Sequence, residues 1–427
     1  MEKYRQRVAD TVLAKKLESI GAVLVEGPKW CGKTTTCKQF AKSILDLSDP
    51  DVRERSERLA EIGIKTLLEG DEPRLIDEWQ VIPKFWDAIR YHVDHSDGHG
   101  HFLLTGSAVV PEKKRNELKH TGTGRISRMK MRPMSLWESG ESSGSVCLKE
   151  LFAGKTLDVV RCLDHNLEEV AYIVCRGGWP KAVERGGDAA LDYAHEYVEA
   201  IAESDISRVD DIPRSPERAR RLLRSLARLQ ATQTSISTIR KDMSANDDLT
   251  LSEVTISSYI NALEKIFVVE NVHAWSPNLR AKSSVRVADT RYFVDPSIAV
   301  AALGAGPGNL MDDLATFGLF FETMAVRDLR VYSEVSGGYV EHYHDKTGLE
   351  CDAVIHMRNG DFGLVEIKLG GETLIEEGIK TLQKLSLLID GKLNRKPMFK
   401  MVLTAVGDYA CQRPDGIIVC PISALCP

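Results

Sequence analysis

The stretch GPKWCGKT at residues 27–34 has the residue types and the spacing of a phosphate-binding loop. Gly27 and Gly32 allow a tight backbone whose N–H groups face phosphate oxygens at the positive end of a helix. Lys33 is placed to reach the β- and γ-phosphates, and Thr34 is placed to ligate Mg²⁺. The stretch therefore predicts that ATP and Mg²⁺ bind here. The residues expected to contact the nucleotide are Gly27, Pro28, Lys29, Trp30, Cys31, Gly32, Lys33, Thr34 and Thr35.

The flanks of this stretch favour that function over a chance match. GAVLVE, directly before it, is a short apolar run that suits a buried parallel strand. TTTCKQFAKSIL, at its end, has Phe40, Ile44 and Leu45 at helical spacing, which predicts a helix. We therefore expect a strand, a loop and a helix in succession, which is the context that a phosphate-binding loop requires.

Two further apolar runs end in residues that suit ATP hydrolysis. PRLIDEWQ predicts a short strand that ends at Asp77 and Glu78. Asp77 is expected to hold the Mg²⁺ shell, and Glu78 is expected to polarise the attacking water. The alternative is an acidic helix cap, which the phosphate-binding loop upstream makes less favoured. HFLLTGS predicts another buried strand, after which Thr105 or Ser107 contacts the γ-phosphate or the water.

A glycine-rich turn, HTGTGR, carries Arg125. An arginine offered across a subunit boundary would stabilise the charge that develops on the γ-phosphate, so this residue is a candidate catalytic residue. Arg128 and Arg132 follow it, and for these two we expect a solvated basic turn without a catalytic role.

The motifs LIDEWQ, FLLTGS, GTGR and MSLWE follow GPKWCGKT in this order, and together they resemble a bacterial and archaeal AAA-type ATPase family. That family's usual motifs run IDEIQ, LTGS, GR and P-L-x-x-E. RGGWPKAV and AESDIS further along resemble its GGFPE and K-D-I motifs, so the resemblance covers the chain almost end to end. It implies an AAA-like αβα core, a homo-oligomer and Arg125 as a finger acting in trans. Trp30 and Cys31 depart from it, because small residues are commoner inside the loop.

Helical patterns dominate the middle of the chain. SPERARRLLRSLARLQ, SISTIRKDM and the segment from Leu251 predict three helices, and a hairpin with a basic loop follows them. This is the order of a winged helix-turn-helix. The basic loop carries Arg280, Lys282 and Arg286, of which Arg280 and Lys282 are expected to touch DNA phosphates. The residues expected to open the recognition helix are Thr255, Ser257, Ser258 and Tyr259.

The same pattern allows a second interpretation of the middle of the chain. Winged helices also serve as docking or lid modules without contacting a groove. The arginine-rich helix, with Arg220 and Arg228 among its residues, would then pair with acidic residues of the ATPase core.

The C-terminal part predicts a helix followed by a three-stranded meander with Asp, Asn and Gly turns. Asp352 lies on the second strand, and Glu366 and Lys368 leave one face of the third. This resembles the D…(D/E)xK arrangement of restriction-endonuclease-like folds, with Glu322 on the preceding helix as an extra carboxylate. Asp352 and Glu366 would hold Mg²⁺, and Lys368 would orient or deprotonate water. The alternative is an ordinary surface strand that alternates charged and apolar residues.

The composition sets the bounds on function. A length of 427 residues suits two or three domains, and a formal net charge of −6 gives no overall sign of nucleic-acid binding. The sequence has no apolar run approaching the roughly 18 residues of a membrane helix. The nine cysteines are scattered and never spaced as CxxC, which indicates reduced thiols and a cytoplasmic protein.

We therefore predict an α/β protein in three parts. Residues 1–150 form an AAA-like P-loop ATPase core, residues 151–300 a helical lid and winged helix, and residues 301–427 a PD-(D/E)xK nuclease-like domain. The leading hypothesis is Mg²⁺-dependent ATP hydrolysis coupled to binding of double-stranded DNA, with DNA cleavage left open. The alternatives are a nucleotide-gated docking protein with an inactive nuclease-like domain and, less favoured, a small-molecule kinase.

Overall fold

A computed structural model describes residues 4–107, 121–244, 251–277, 289–393 and 395–427. Its strands form two larger sheets, one of five and one of seven strands, and two small two-stranded sheets. None of the described helices is long and apolar enough to cross a membrane.

The five-stranded sheet forms the centre of the N-terminal part. Its strands are β1 (Ala22–Glu26), β2 (Ser43–Asp46), β3 (Arg74–Asp77), β4 (Phe102–Gly106) and β5 (Ile126–Lys130). The helices around it are α1 (Val8–Leu17), α2 (Lys33–Lys38), α3 (Pro50–Gly63) and α4 (Lys84–Asp94). The strand order is β2-β3-β4-β1-β5, and all neighbours run parallel. Because the strands are parallel, the loops after β1, β3 and β4 leave the same edge of the sheet.

Apolar side chains cover both faces of this sheet. Ala22 and Leu24 of β1 pack in one hydrophobic cluster, and Val23 and Val25 pack in another. Alternate residues of a strand point to opposite faces, so a continuous apolar run is what a sheet buried on both sides requires. This confirms the predicted α/β fold, with a parallel sheet in the N-terminal part.

The helix after the phosphate-binding loop is shorter than the sequence predicted. It ends at Lys38, and Ile44 and Leu45 lie in β2, where they pair with Leu75 and Ile76 of β3. Ile44 is exposed, whereas Leu45 is buried in the core. A short apolar run fits a helix and a strand equally well, and here pairing at the edge of the sheet decides the outcome.

The middle of the chain is mainly helical. Its helices are α5 (Leu136–Ser139), α6 (Leu148–Phe152), α7 (Leu167–Arg176), α8 (Pro180–Arg185), α9 (Asp188–Ala200), α10 (Ile206–Arg208), α11 (Pro216–Arg228), α12 (Ile236–Ser244) and α13 (Glu253–Lys265). A π-helical turn, Ile201–Asp205, joins α9 to α10. Two short strands lie between α5 and α7, namely β6 (Val146–Cys147) and β7 (Val160–Arg161). An antiparallel hairpin follows α13, formed by β8 (Val269–Val272) and β9 (Thr290–Phe293).

Some of the residues predicted to open the recognition helix, α13, form hydrogen bonds within the protein. The hydroxyl of Tyr259, a buried residue, accepts a hydrogen bond from the backbone N–H of Ser215 at 3.0 Å, and Ser258 accepts one from Arg214 at 3.1 Å. Tyr259 is therefore not available to a DNA groove, whereas the role predicted for the partly exposed Ser258 stays a prediction. The predicted wing residues Arg280, Lys282 and Arg286 lie outside the described residues.

The arginines of α11 pair within the middle of the chain. Arg220 bonds to Glu199 of α9 at 2.7 Å and also to Glu203, and Arg228 bonds to Asp242 of α12 at 2.6 Å. The expected pairing with acidic residues of the ATPase core is therefore wrong for these two arginines. Exposed ion pairs of this kind contribute little to stability, but they leave less free positive charge on this helix.

The C-terminal part is built on the seven-stranded sheet. Its helices are α14 (Pro296–Leu303), α15 (Pro307–Asp312), α16 (Leu314–Glu334) and α17 (Glu372–Leu393), and its strands are β10 (Tyr339–His344), β11 (Glu350–His356), β12 (Phe362–Lys368), β13 (Lys400–Thr404), β14 (Tyr409–Gln412), β15 (Ile417–Pro421) and β16 (Leu425–Cys426). The order is β10-β11-β12-β13-β15-β14-β7, so β7 joins this sheet from an earlier part of the chain. β6 likewise pairs with β16.

A buried ionic cluster joins the N-terminal, middle and C-terminal parts. Arg132, just after β5, bonds to Glu270 of β8 at 3.0 Å and to Glu334 of α16 at 2.5 Å. Arg330 also bonds to Glu270 at 2.5 Å. Burial alone would raise the pKa of Glu270, but Arg132 and Arg330 hold it well below its usual range. The prediction of a solvated turn is therefore wrong for Arg132.

Candidate functional site

The backbone of residues 27–34 is shaped by glycines and by close contact with the strand beside it. A Cβ atom on Gly27, whose φ is 158°, would lie 2.1 Å from the carbonyl oxygen of Met131. Gly32 begins α2 with a φ of 100°, in the left-handed region that favours glycine. Trp30 also has a positive φ, 66°, which is costly for a bulky residue. The backbone of this loop therefore requires glycine at positions 27 and 32.

Lys33 lies inside the loop, where its side chain is buried. Its ammonium group donates to the carbonyl oxygens of Gly27 at 3.0 Å and Pro28 at 2.8 Å. Both partners are neutral, so they leave the positive charge uncompensated. A buried positive charge enclosed by a loop at a helix N-terminus fits a phosphate group as its counter-ion.

The hydroxyl of Thr34 and the carboxylate of Asp77 meet at the same edge of the sheet. Thr34 donates a hydrogen bond to Asp77 at 2.8 Å, and Thr105 of β4 donates to the same carboxylate oxygen. Asp77 is buried. Hydroxyl and carboxylate oxygens are the ligands that Mg²⁺ prefers, so Thr34 and Asp77 fit the ion that the sequence predicts. Thr105 or Ser107 was expected to contact the γ-phosphate or the water; in the structure Thr105 is buried and bonds to Asp77.

Glu78 follows Asp77 directly and has a strained backbone, with a φ of 58°. Its carboxylate accepts hydrogen bonds from Gln80 and, at 3.3 Å, from the hydroxyl of Ser107. Its backbone N–H donates to Thr105 at 3.2 Å. These contacts hold the carboxylate at the edge of the sheet that carries the phosphate-binding loop, where a general base for hydrolysis is needed.

The loop also contacts the helical middle part of the chain. The ammonium group of Lys29 bonds to the carboxylate of Asp205 at 2.6 Å, and the Asp205 side chain is only 8% exposed. The ring of Trp30 lies against Tyr197 of α9, with centroids 5.2 Å apart, and makes a T-shaped contact with Tyr193. Asp205 ends the π-helical turn between α9 and α10, and such turns are common at functional sites.

Arg7 contacts both the phosphate-binding loop and the segment after β5. These contacts were not predicted from the sequence. Its guanidinium donates to the carbonyl of Cys31 at 2.8 Å and pairs with Glu138 at 2.9 Å, both in the interior. Glu138 is the acidic residue of the MSLWE motif, so the family motif was the available signal for it. Cys31 is buried, whereas Thr35 is exposed on the first turn of α2.

Arg125 lies at the opposite edge of the sheet from the phosphate-binding loop. It immediately precedes β5, and its carbonyl accepts a hydrogen bond from Ala22, the first residue of β1, whereas the loop follows the end of that strand. Its guanidinium bonds to Asp94 at 2.6 Å and is half-exposed. It is therefore separated from the phosphate-binding loop of its own chain by the length of β1.

A second cluster of charged residues lies in the C-terminal sheet. The ammonium group of Lys368 lies 2.8 Å from the carboxylate of Glu366 and 3.4 Å from that of Asp352. Glu322 of α16 accepts a hydrogen bond from the hydroxyl of Tyr292 at 2.6 Å. The four predicted residues of this site are thus brought together, and Tyr292, which sequence reasoning missed, joins them from the hairpin strand β9.

The carboxylates of this cluster have raised pKa values. Burial, and then the negative charge of Asp352, raise the pKa of Glu366 to about 8 and raise that of Glu322 well above its usual range. Burial alone would lower the pKa of Lys368, but Asp352 and Glu366 outweigh it and raise that pKa. Perturbed carboxylates around a lysine suit a cation site, although buried structural ion pairs shift pKa values in the same way.

Comparisons with known proteins bear on each part of the chain. Residues 20–139 match the AAA domain family, residues 167–309 match a domain of unknown function (DUF8612), and residues 317–425 match another (DUF4143). No curated protein matches the chain.

Two solved structures are similar to parts of the chain. One is a Walker-type ATPase of Pyrococcus abyssi, with 14% identity over 70% of this chain and 96% of that one and a TM-score of 0.41. The other is the Orc1 protein of Aeropyrum pernix in complex with DNA, with 14% identity over 71% of this chain and 93% of that one and a TM-score of 0.22.

The AAA match spans the segment that carries Gly27, Lys33, Asp77 and Arg125. It supports an AAA-type ATPase core that binds and hydrolyses ATP in the N-terminal part of the chain. The two other matched families have no assigned function, so the nuclease-like nature of the C-terminal part and the contact with DNA stay predictions.

Replacing Glu78 by Gln is expected to leave ATP binding intact and to lower the hydrolysis rate by about 10²–10⁴-fold, the usual contribution of a general base. The amide keeps the shape of the side chain and its bond to Ser107, but it cannot accept a proton. Nucleotide binding would be followed with a fluorescent ATP analogue, and turnover by phosphate release. Lys33→Ala is the matched control, since it is expected to lose binding itself. Wild-type turnover in Glu78→Gln would contradict the assignment.

Proposed function

We propose that this protein is a Mg²⁺-dependent ATP hydrolase whose nucleotide state controls DNA binding by its middle part and DNA cleavage by its C-terminal cluster. It would act as a homo-oligomer in the cytoplasm. The observation that carries the hydrolase assignment is the meeting of Thr34, Asp77 and Thr105 beside the buried ammonium group of Lys33.

The residues of the nucleotide site have distinct roles in this proposal. Lys33 would exchange its two carbonyl partners for phosphate oxygens, and the loop N–H groups would bind the remaining phosphate charge. Thr34 and Asp77 would hold Mg²⁺, which supplies positive charge to the phosphates when it is bound. Glu78 would accept a proton from the attacking water, and Ser107 and Gln80 would keep its carboxylate in place.

The ion pair between Lys29 and Asp205 would carry the nucleotide state to the middle part of the chain. Both residues lie at the phosphate-binding loop, and Asp205 belongs to the turn that connects α9 with α10. An incoming phosphate would compete with the carboxylate of Asp205 for the ammonium group of Lys29. The negative charge of the phosphate would also repel this carboxylate and shift Asp205. The helices that follow Asp205 are those of the predicted winged helix.

Support for DNA binding comes from the order of elements in the middle part. Three helices, α11, α12 and α13, are followed by the antiparallel hairpin of β8 and β9, which is the order of a winged helix-turn-helix. Thr255 and Ser257 on α13 are partly exposed and stay candidates for contacts with a groove.

Support for cleavage comes from the C-terminal cluster. The C-terminal elements run in the order α16, the antiparallel strands β10, β11 and β12, then α17 and the parallel strand β13. This order brings together Glu322, Asp352, Glu366 and Lys368. Asp352 and Glu366 would hold a divalent cation near the scissile phosphate, and Lys368 would orient the attacking water.

A second candidate function is a nucleotide-gated docking protein without nuclease activity. It is favoured by the hydroxyl of Tyr292, a buried residue of the middle part that bonds to Glu322 and covers one side of the cluster. In this alternative Lys368 acts as a permanent counter-ion for Asp352 and Glu366, and the charged cluster is a structural feature.

Cleavage of plasmid and linear DNA with Mg²⁺ or Mn²⁺, with and without ATP, distinguishes the two candidates. We expect the wild-type chain to cleave DNA and Lys368→Ala to lose cleavage while its ATP hydrolysis is unchanged, because the two sites share no residues. Tyr292→Phe removes only the hydroxyl that covers Glu322 and is expected to retain cleavage. No cleavage by any variant, with ATP hydrolysis intact, would contradict the nuclease assignment and favour the docking protein.

The assignment of Arg125 as a finger acting in trans can be tested by mixing two inactive variants. Arg125→Ala is expected to lower hydrolysis by about 10³-fold or more, because transition-state charge on the γ-phosphate is left uncompensated. Lys33→Ala cannot bind ATP but keeps its own Arg125, so an equal mixture of the two variants should regain activity. Asp94→Asn, which removes only the local partner of Arg125, is the control. A mixture no more active than its components would contradict the assignment.

A further inference from the structure

Four histidines lie within ten residues, from the last turn of α4 to the start of β4, namely His92, His95, His99 and His101. Short histidine-rich segments are often metal-binding. This segment is at the edge of the five-stranded sheet opposite the phosphate-binding loop, because His101 directly precedes the parallel strand β4. It plays no part in the nucleotide site described above.

Two of these histidines meet one carboxylate. The two oxygens of Glu72 lie 3.2 Å from Nε2 of His92 and 2.5 Å from Nδ1 of His101. Within the part of the chain that the structure describes, these three residues are the one group of three or more His, Cys, Asp or Glu whose potential ligand atoms all lie within 4.8 Å of one another. The arrangement thus brings together two imidazoles and one carboxylate from three separate elements.

The two histidines are positioned by the fold. The backbone N–H of His101 donates to Gly21 at 2.7 Å, and its carbonyl accepts from Arg74 at 2.8 Å. The ring of His92 packs edge-on against Phe102, with centroids 5.0 Å apart. Positions fixed in this way reduce the ordering that a ligand would otherwise have to impose.

Within the part of the chain that the structure describes, the ring of His101 has one engaged and one unpartnered nitrogen. Its residue is only 6% exposed, and its Nε2 atom is buried without a hydrogen-bond partner among the described residues. Only Nδ1 is engaged, by Glu72, so the ring is not fixed in one tautomer by bonds on both nitrogens. It can carry its proton on Nε2 and offer the lone pair of Nδ1 to a cation.

We propose that Glu72, His92 and His101 form a binding site for a zinc-class divalent cation. Two imidazole nitrogens and one carboxylate oxygen are a common three-ligand set for zinc, with water in the fourth position. Ligands about 2.0–2.2 Å from a tetrahedral ion are separated by about 3.4 Å. The 3.2 Å between Glu72 and His92 is close to this value, whereas Glu72 and His101, now 2.5 Å apart, would separate by about 1 Å to admit the ion. Partial exposure of Glu72 and His92 gives the ion a route from solvent.

A cation at this site would fix the end of α4 to the starts of β3 and β4. Asp94, two residues after His92, bonds to Arg125 at 2.6 Å and to Arg90 at 2.8 Å. The ion would therefore stabilise the segment that holds Arg125. Its binding does not depend on the function proposed for the nucleotide site.

The test is a titration of the chelator-treated full-length protein with Zn²⁺ in the absence of nucleotide, in competition with a chromophoric chelator. We expect one tightly bound Zn²⁺ per chain and a higher thermal unfolding midpoint when it is bound. Glu72→Gln keeps the shape of the side chain and should lower Zn²⁺ affinity at least tenfold, as should His92→Ala. The matched control is the double variant His95→Ala/His99→Ala, which alters the two other histidines and should bind as the wild type does.

Binding of Co²⁺ separates this site from the nine cysteines. Co²⁺ held by nitrogen and oxygen in a four-coordinate site should absorb in the visible without the near-ultraviolet charge-transfer band of a cobalt–thiolate bond. A thiolate band, unchanged Zn²⁺ affinity in Glu72→Gln and His92→Ala, or loss of binding in the double control would each overturn the proposal.

Discussion

The carboxylate of Asp77 is bonded by Thr34 from the phosphate-binding loop and by Thr105 from β4, and the geometry of the nucleotide site depends on this convergence. It follows from one constraint, the parallel order of the sheet. Because β4 lies between β1 and β3, the three strands end side by side, and their polar ends meet. An antiparallel neighbour would have sent one of these loops to the opposite edge.

The same edge of the sheet is where the middle part of the chain touches the nucleotide loop. Lys29 pairs with Asp205, and Trp30 rests on Tyr197. Further from the loop, Arg132 joins the N-terminal part to Glu270 and Glu334. Removing one partner of a buried ion pair typically lowers the free energy of unfolding by about 3–5 kcal/mol, so we expect the cluster around Arg132 to stay intact when nucleotide binds. The ion pair of Lys29 with Asp205 is more exposed, and we expect it to change instead.

The sequence was sufficient to predict the elements whose residues are close along the chain. The spacing of GPKWCGKT, the Asp77–Glu78 pair after an apolar run and the Glu366-x-Lys368 pattern each lie on one loop or strand, and the structure places them at the ends or faces expected. The bounds of α2 and β2 were not predictable, because Ile44 and Leu45 fit a helix as well as a strand until β3 lies beside them.

Contacts between residues far apart in sequence were beyond prediction from local patterns. Asp205 is 176 positions from Lys29, and Tyr292 reaches Glu322 from a different part of the fold. Arg132 looked like a surface residue because its two carboxylate partners, Glu270 and Glu334, come from later parts of the chain. Charge alone does not reveal burial, since a buried arginine and an exposed one look identical in a single sequence.

Amide hydrogen exchange of residues 201–208, with and without Mg²⁺ and ATP, reports whether nucleotide binding reaches the middle part of the chain. We infer that nucleotide binding at the phosphate-binding loop is transmitted to this part through Asp205. We expect ATP to change the exchange of this segment in the wild-type chain and in Glu78→Gln, which binds without turnover, but not in Lys33→Ala. Unchanged exchange of residues 201–208 while the phosphate-binding loop itself becomes protected would contradict it.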